Sequence, residues 1–193
     1  MSSDLVGFQP GGRAPAPPPL DLVQDFVNTE IPEWARDDIS TPDALGAWFR
    51  DRGLIDEEDD VDAETFVAAR ALRDLLRELA LLNTLERSPD ARTRADLDRI
   101  ADAIDLRVRL DVGGTFVVDA GGRGGGRGLA AVLAHVLQAQ ALGTWPRLKA
   151  CQHETCGWLF YDGSRNASSR WCSMSICGNR SKTAAYRRRM RAP

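Results

Sequence analysis

The spacing of apolar residues changes several times along this chain, and each change marks a new element. In Leu20–Glu30 (LDLVQDFVNTE), Leu22, Val23, Phe26 and Val27 recur at helical spacing and predict a short buried helix. Thr41-Pro42-Asp43 is a helix start, with a capping hydroxyl, proline at the first helical position and an early acid. Leu45, Trp48 and Phe49 then face inward, and Gly53 ends the helix. The acidic run Asp56–Asp62 reads as a solvated loop that donates the next cap. From about Asp62 to Glu86 the signal is strongest. Phe66, Ala69, Leu72, Leu75, Leu76, Leu79 and Leu82 recur at three and four, with Arg70, Arg73, Asp74, Arg77 and Glu78 on the other side. Ser88-Pro89 breaks this helix, and a weaker one covers roughly Arg92–Ile104.

The period then falls to two. Leu106, Val108 and Leu110 alternate with Arg107, Arg109 and Asp111, Gly113-Gly114 turns the chain, and Phe116-Val117-Val118 returns, which predicts a β-hairpin. The glycine-rich run Gly121–Gly128 lacks the Gly-x-x-x-x-Gly-Lys-Ser/Thr pattern and no parallel βαβ unit surrounds it. It therefore reads as a mobile linker, not a phosphate cradle. A helix over Leu129–Leu142 follows, with His135 read as a core or surface residue. Residues 1–19, rich in glycine and proline, read as a flexible or polyproline-like lead-in. The predicted organisation is α+β: a mainly helical domain with a β-hairpin over 20–143, then a small module over 145–193.

Charge sharpens that division. The net charge of −3 conceals a basic segment, 145–193, with ten Lys and Arg against Glu154 and Asp162. The other 144 residues carry fifteen basic and twenty-six acidic residues. Such asymmetry suggests a module built for a polyanion, or two segments that attract one another. No apolar run approaches the roughly 20 residues that span a bilayer. The N-terminus shows no basic stretch followed by an apolar run. The expectation is a soluble, cytoplasmic chain without a membrane partner.

All four cysteines lie in the basic segment as Cys151-x4-Cys156-x15-Cys172-x4-Cys177. Two short-spaced pairs separated by a strand-turn-strand insert suit a tetrahedral four-thiolate zinc site, one structural ion with no open position for catalysis. Disulfides and reactive thiols are the alternatives. A chain of 193 residues with 43% apolar content can bury a core without disulfides, which favours the metal. Gly157-Trp158-Leu159-Phe160-Tyr161-Asp162 reads as a strand returning over the metal, Gly163-Ser164-Arg165-Asn166 as a turn, and Ser173 as the cap of a helix containing Cys177. A hairpin with the first pair and a helix with the last ligand make a treble-clef-like arrangement.

The run Cys151…Cys156-Gly-Trp-Leu-Phe-Tyr-Asp162-Gly-Ser-Arg-Asn166…Arg170-Trp-Cys172-Ser-Met…Cys177-Gly-Asn-Arg180-Ser-Lys182…Tyr186-Arg-Arg resembles the CGNR zinc-finger family. Upstream, Leu22…Asp25-Phe26-Val27-Asn28-Thr29 and Arg70-Ala-Leu-Arg73 are similar to the companion ABATE domain. The resemblance implies a stress-induced transcription regulator with a C-terminal DNA-binding finger. The chain departs from it at Ala167 and Ser169, where relatives often carry arginine.

The basic residues support a nucleic-acid role independently. Arg165, Arg170, Arg180, Lys182, Arg187, Arg188, Arg189 and Arg191 are dense, and each phosphate they neutralise adds salt-sensitive affinity for duplex DNA. Asn179 and Arg180 are candidates for base contact, and Asn179 is equally suited to brace the metal knuckle. At 100° per residue, Arg180, Arg187 and Arg191 share a stripe while Lys182 and Arg189 lie roughly opposite, so the terminal helix is basic all round. In the N-terminal domain, Asn28 and Thr29 are candidate contacts for a small-molecule effector. The alternative is a helix C-terminus in which Asn adopts the left-handed conformation. Arg70 and Arg73 are candidates for an anionic effector, or else arginines of a solvated face. There is no Ser/His/Asp set and no His/Glu metal motif, so no enzyme activity is expected. The leading expectation is a DNA-binding regulator whose N-terminal domain senses a signal or forms a homodimer. An RNA- or protein-binding zinc module, or a small-molecule-binding protein with a purely structural zinc, are the alternatives.

Overall fold

The computed structural model describes residues 8–102, 104, 106–110, 112–114, 116–120 and 124–191, and the side chains of all of these but 116–120, 185, 188 and 191. Helix α1 (Leu20–Val27) buries Leu20, Val23, Phe26 and Val27. Two-residue strands β1 (Glu30–Ile31) and β2 (Arg36–Asp37) pair antiparallel, Glu30 opposite Asp37. Helix α2 (Pro42–Arg50) starts as its sequence predicts, with Thr41 Oγ1 accepting from Ala44 N at 3.2 Å. In the same way Asp62 caps α3 (Ala63–Leu85), accepting from Thr65 N at 2.7 Å. Helix α4 (Ala91–Asp102) precedes the hairpin β3 (Leu106–Leu110) and β4 (Phe116–Ala120), with Val108 opposite Val118. Among the described residues no helix is long and apolar enough to cross a membrane.

Helix α5 (Gly125–Ala141) begins inside the glycine run that composition assigns to a linker. Gly121, Gly122 and Arg123 lie outside the described residues, but Gly125–Gly128 are helical, and Gly125 and Gly128 serve close packing. A β-carbon on Gly128 would sit 2.6 Å from the Phe49 ring, and one on Gly125 would sit 2.7 Å from Thr65 Cγ2. The glycines let α5 lie directly against α2 and the start of α3. Their role is contact distance, which no local pattern encodes.

Arg73 reverses its predicted placement. It lies on the inner side of α3, 1% exposed, not on a solvated face. Its guanidinium meets Asp37 through two bonds, Nη1–Oδ1 at 2.7 Å and Nη2–Oδ2 at 3.0 Å, and Nη1 also donates to Thr29 Oγ1 at 3.3 Å. The Glu30 carboxylate stands 3.8 Å from its Nε. The β1–β2 pair thus places two acids over the helix, which makes burial of the charge tolerable. Burial works to raise the Asp37 carboxyl, yet the Arg73 bonds outweigh it and hold the group below its ordinary value. Arg70 stays exposed, near the Phe66 ring.

The lead-in is also ordered where it is described. Gln9, Pro10, Ala16 and Pro19 are buried, against the flexible segment expected from composition. After α5 come β5 (Leu148–Ala150) and β6 (Leu159–Tyr161), an antiparallel pair with Lys149 opposite Phe160. Leu148, Ala150 and Leu159 belong to the same buried cluster as α1, α3 and α5. A second cluster, Ile31, Trp158, Phe160 and the four cysteines, lies next to it. Helix α6 (Asn179–Arg191) ends the described chain.

Gly128→Ala should destabilise the protein by about 1–3 kcal/mol through overpacking. Gly126→Ala, where an added β-carbon meets nothing within 4 Å, should be neutral or stabilise by up to about 1 kcal/mol. Denaturant unfolding checks the pair. Asp37→Asn should cost on the order of 2–3 kcal/mol at neutral pH by leaving Arg73 buried without its anion. Because the folded Asp37 lies below its unfolded value, its contribution is complete above about pH 4 and lost as pH falls further. The stability gap to the variant should therefore narrow below that pH.

Candidate metal centre and basic helix

Each cysteine is placed by backbone bonds around it. Cys151 follows β5, and its N–H donates to Trp158 O at 2.9 Å, while Cys156 N donates to His153 O at 3.0 Å and closes the first knuckle. Gln152 N donates to Arg170 O at 2.9 Å and ties the first cysteine loop to the segment that delivers Cys172. Cys177 lies in a π-helical turn, Met174–Gly178, that runs into α6. Ser173 caps this turn as its sequence predicts, accepting from Ile176 N at 3.3 Å.

The four sulfurs lie within 4.8 Å of one another, all buried. Cys156–Cys172 and Cys172–Cys177 measure 3.7 and 3.6 Å. That is far beyond the roughly 2.05 Å of a disulfide. It matches the roughly 3.8 Å between ligands of a tetrahedral ion with metal–sulfur bonds of about 2.3 Å. The donor set therefore fits one metal ion. His153 stays outside the set, its Nδ1 3.3 Å from Thr155 Oγ1. Electrostatics point the same way. Hydrogen bonds from Cys156 and Cys172 push the Cys151 thiol down, while hydrogen bonding to their cysteine neighbours and burial push Cys156 and Cys172 up, and burial with the Cys151 charge pushes Cys177 up. Four thiolates so close require a cation, which a divalent ion supplies.

The insert between the cysteine pairs is organised by a fully buried acid. Asp162 accepts from Ser164 N at 3.1 Å, Ser164 Oγ at 2.7 Å, Ser169 N at 2.8 Å and Ser169 Oγ at 3.0 Å. Buried Lys149 bridges it at 3.2 Å and also donates to Ala167 O. Burial favours the neutral acid, but these donors win and hold Asp162 well below the carboxylate range. Ala167 and Ser169 are thus parts of this loop's scaffold.

Side chains of the N-terminal domain close both edges of the β5–β6 hairpin. On the β6 side, Asn28 Nδ2 donates to Leu159 O at 3.0 Å and Asn28 Oδ1 accepts from Leu159 N at 2.8 Å. Gln24 Nε2 also donates to Leu159 O, at 3.1 Å. On the β5 side, Asn83 Nδ2 donates to Leu148 O at 2.9 Å and Thr84 Oγ1 to Ala150 O at 2.7 Å. The lead-in adds a strap, with Arg13 Nε donating to Cys172 O at 2.7 Å and Arg13 Nη2 to Trp171 O at 3.1 Å. Asn28 does end α1, but at φ −78°, not in the left-handed region. Its amide acts as a short strand mimic. None of these seam contacts has a local sequence signal.

The predicted nucleic-acid residues separate into groups. Arg165, Arg170, Lys182, Arg187 and Arg189 are exposed. Asn179 is exposed and donates to Ser175 O at 3.2 Å, bracing the turn that holds Cys177. Arg180, about half exposed, is paired with Glu33 of the N-terminal domain. Arg188 and Arg191 lie on α6, and their side chains lie outside the described residues. Arg147, from the same basic segment, is used internally and donates to Asp162 O at 2.8 Å.

Two family models match the chain. Residues 20–144 match ABATE, described as "Putative stress-induced transcription regulator", and residues 147–190 match the CGNR zinc finger. No curated protein matches it.

Asn28→Ala should leave the buried Leu159 amide unpaired and cost about 1–3 kcal/mol. Hydrogen exchange should show faster exchange at Leu159 than in the parent protein, with metal content unchanged.

Proposed function

Since the chain belongs to the ABATE family and carries a CGNR zinc finger at its C-terminal end, we propose that it is a DNA-binding transcription regulator. One zinc ion held by Cys151, Cys156, Cys172 and Cys177 organises α6, and α6 carries the affinity for duplex DNA. The N-terminal domain receives a signal or mediates dimerisation. In this reading the protein is not an enzyme, since four thiolates leave the ion no open position.

One observation carries the reading. The turn that holds Cys177 continues without a break into a helix that carries cations and no acid along 13 residues. Such a helix is about 20 Å long, enough to lie in a major groove about 12 Å wide. Trp171 Nε1 donates to Ser181 Oγ at 3.1 Å and fixes its first turn against the metal knuckle. Lys182, Arg187 and Arg189 are free to meet phosphates along it, with Arg165 and Arg170 on the insert beside it. Phosphate contacts dominate this set, since Asn179 is already committed to the backbone. Arg180 reaches DNA by exchanging Glu33 for a phosphate.

Gel-shift titration of the zinc-loaded protein on duplex DNA tests the proposal. Binding should weaken steeply with salt, and Arg187→Ala with Arg189→Ala should lower the salt slope by about 2. A strong chelator should abolish binding by releasing α6 from its anchor. Absence of duplex binding by zinc-loaded protein at about 50 mM salt would refute the proposal. Preference for single-stranded RNA in the same titration would reassign the partner.

A further inference from the structure

A cavity of about 460 Å³ opens where α1 and α2 meet the metal module, within the size range of small-molecule sites. Both halves of the protein build it. Asp25 comes from α1 with Asn28 just beyond it, Trp48 from α2 with Asp51 and Arg52 just beyond it, and Trp158 from the strand side of the metal knuckle.

The charges on its wall do not balance. Four carboxylates (Asp25, Asp37, Asp38 and Asp51) face two guanidiniums (Arg36 and Arg52). Arg36 is engaged by Asp38 at 2.6 Å, and Asp37 by Arg73 behind the wall. Arg52 lies over the Trp48 ring, 4.0 Å from its centroid, and reaches Asp25 only at 3.7 Å. Asp51 has no ion pair among the described residues. Burial raises the Asp25 carboxyl, and the Arg52 charge offsets this only in part. The aromatic side of the wall is Trp158 and Phe8, whose rings meet edge-on at 5.8 Å. An anion would meet surplus carboxylate here, and a neutral apolar guest would desolvate carboxylates without return. A cation with an apolar body satisfies both surfaces, through ion pairing with the carboxylates and contact with the aromatic wall.

We infer that this cavity binds a small organic cation, a protonated or quaternary amine with a body about the size of one aromatic ring. Its charge lies against Asp25 and Asp51 and its body against Trp158 and Phe8. The inference deepens the signal-receiving role proposed for the N-terminal domain and rests on it. The occupant touches both ends of the protein. Trp158 donates through Nε1 to Gln9 Oε1 at 3.3 Å, and the lead-in beyond Gln9 straps the carbonyls of Trp171 and Cys172 through Arg13.

Calorimetric titration of the zinc-loaded full chain with benzyltrimethylammonium, benzyl alcohol and benzoate tests it. The expected result is saturable 1:1 binding of the ammonium, about tenfold or more tighter than the alcohol, with no benzoate binding. Asp25→Asn with Asp51→Asn should weaken the ammonium about tenfold or more. If the double variant fails to fold, the exposed Asp51→Asn alone should weaken it by at least about threefold, and the indole N–H resonances of Trp48 and Trp158 should shift on binding to the parent protein. No saturable ammonium binding up to about 10 mM, equal binding of the alcohol or benzoate, or no effect of the aspartate variants would overturn the inference. Gel shifts on the same preparations separate the two claims. Intact duplex binding without ammonium binding removes only the cavity assignment, and the reverse removes only the DNA reading.

Discussion

A hairpin of two three-residue strands cannot hold itself together in water, and in this protein the β5–β6 hairpin lies at the junction of everything else. Its outward amides and carbonyls are satisfied by Asn28 and Gln24 on one edge and by Asn83 and Thr84 on the other. A buried strand edge without such partners would forfeit hydrogen bonds that water could otherwise make. The closure makes α1 and α3 act as the neighbouring strands of a sheet that has none. It also fixes where Cys151 and Cys156 sit, because both lie in the segment that joins its two strands. The metal centre is thereby positioned by the N-terminal domain as well as by its own ligands.

The same reliance on buried polar contacts recurs at three other points. Asp162 with Lys149 shapes the insert that delivers Cys172. Arg73 with Asp37 holds the β1–β2 pair on α3. Gln24, fully buried, joins the lead-in, α1 and β6, accepting from Ala16 N and donating to Gln9 Oε1 and Leu159 O. Each network is satisfied on most of its atoms, which is the condition under which buried charge and amide groups specify one arrangement. These contacts also reduce the basic surface that composition suggests. Arg147 and Lys149 serve the insert, and Arg180 is paired with Glu33, so attraction between the acidic and basic segments is part of the fold. Within residues 145–193 the exposed cations lie on α6 and on the insert.

The helices were legible because their signals are local. Thr41 and Asp62 cap the helices their positions predict, and the apolar spacing of α3 matches its buried side at Ala69, Leu72, Leu75 and Leu76. The hairpin β3–β4 forms where the alternation and the Gly-Gly turn place it, although Val108 and Leu110 stay exposed. Arg73 was illegible in the same helix because spacing marks a face and not the acids that will stand over it. The glycine run was misread for a related reason. Gly125 and Gly128 look like linker residues by composition, yet their purpose is the approach of α5 to Phe49 and Thr65. The lead-in likewise gave no sign that Gln9 and Arg13 would reach the metal module.

The sequence marked the four candidate ligands, since two closely spaced cysteine pairs have the spacing to meet around one ion. It also determined the helix that follows Cys177 and the concentration of positive charge at that end of the chain. Those are properties of neighbours within a few residues. Tertiary structure alone decided that Asn28, read as a helix terminus or a ligand contact, would become the edge partner of Leu159. It decided which arginines are spent internally and which face solvent, and it opened the cavity between Asp25 and Trp158. Those features depend on residues from 15 to 147 positions apart being brought within hydrogen-bonding distance, and no spacing along the chain records that distance.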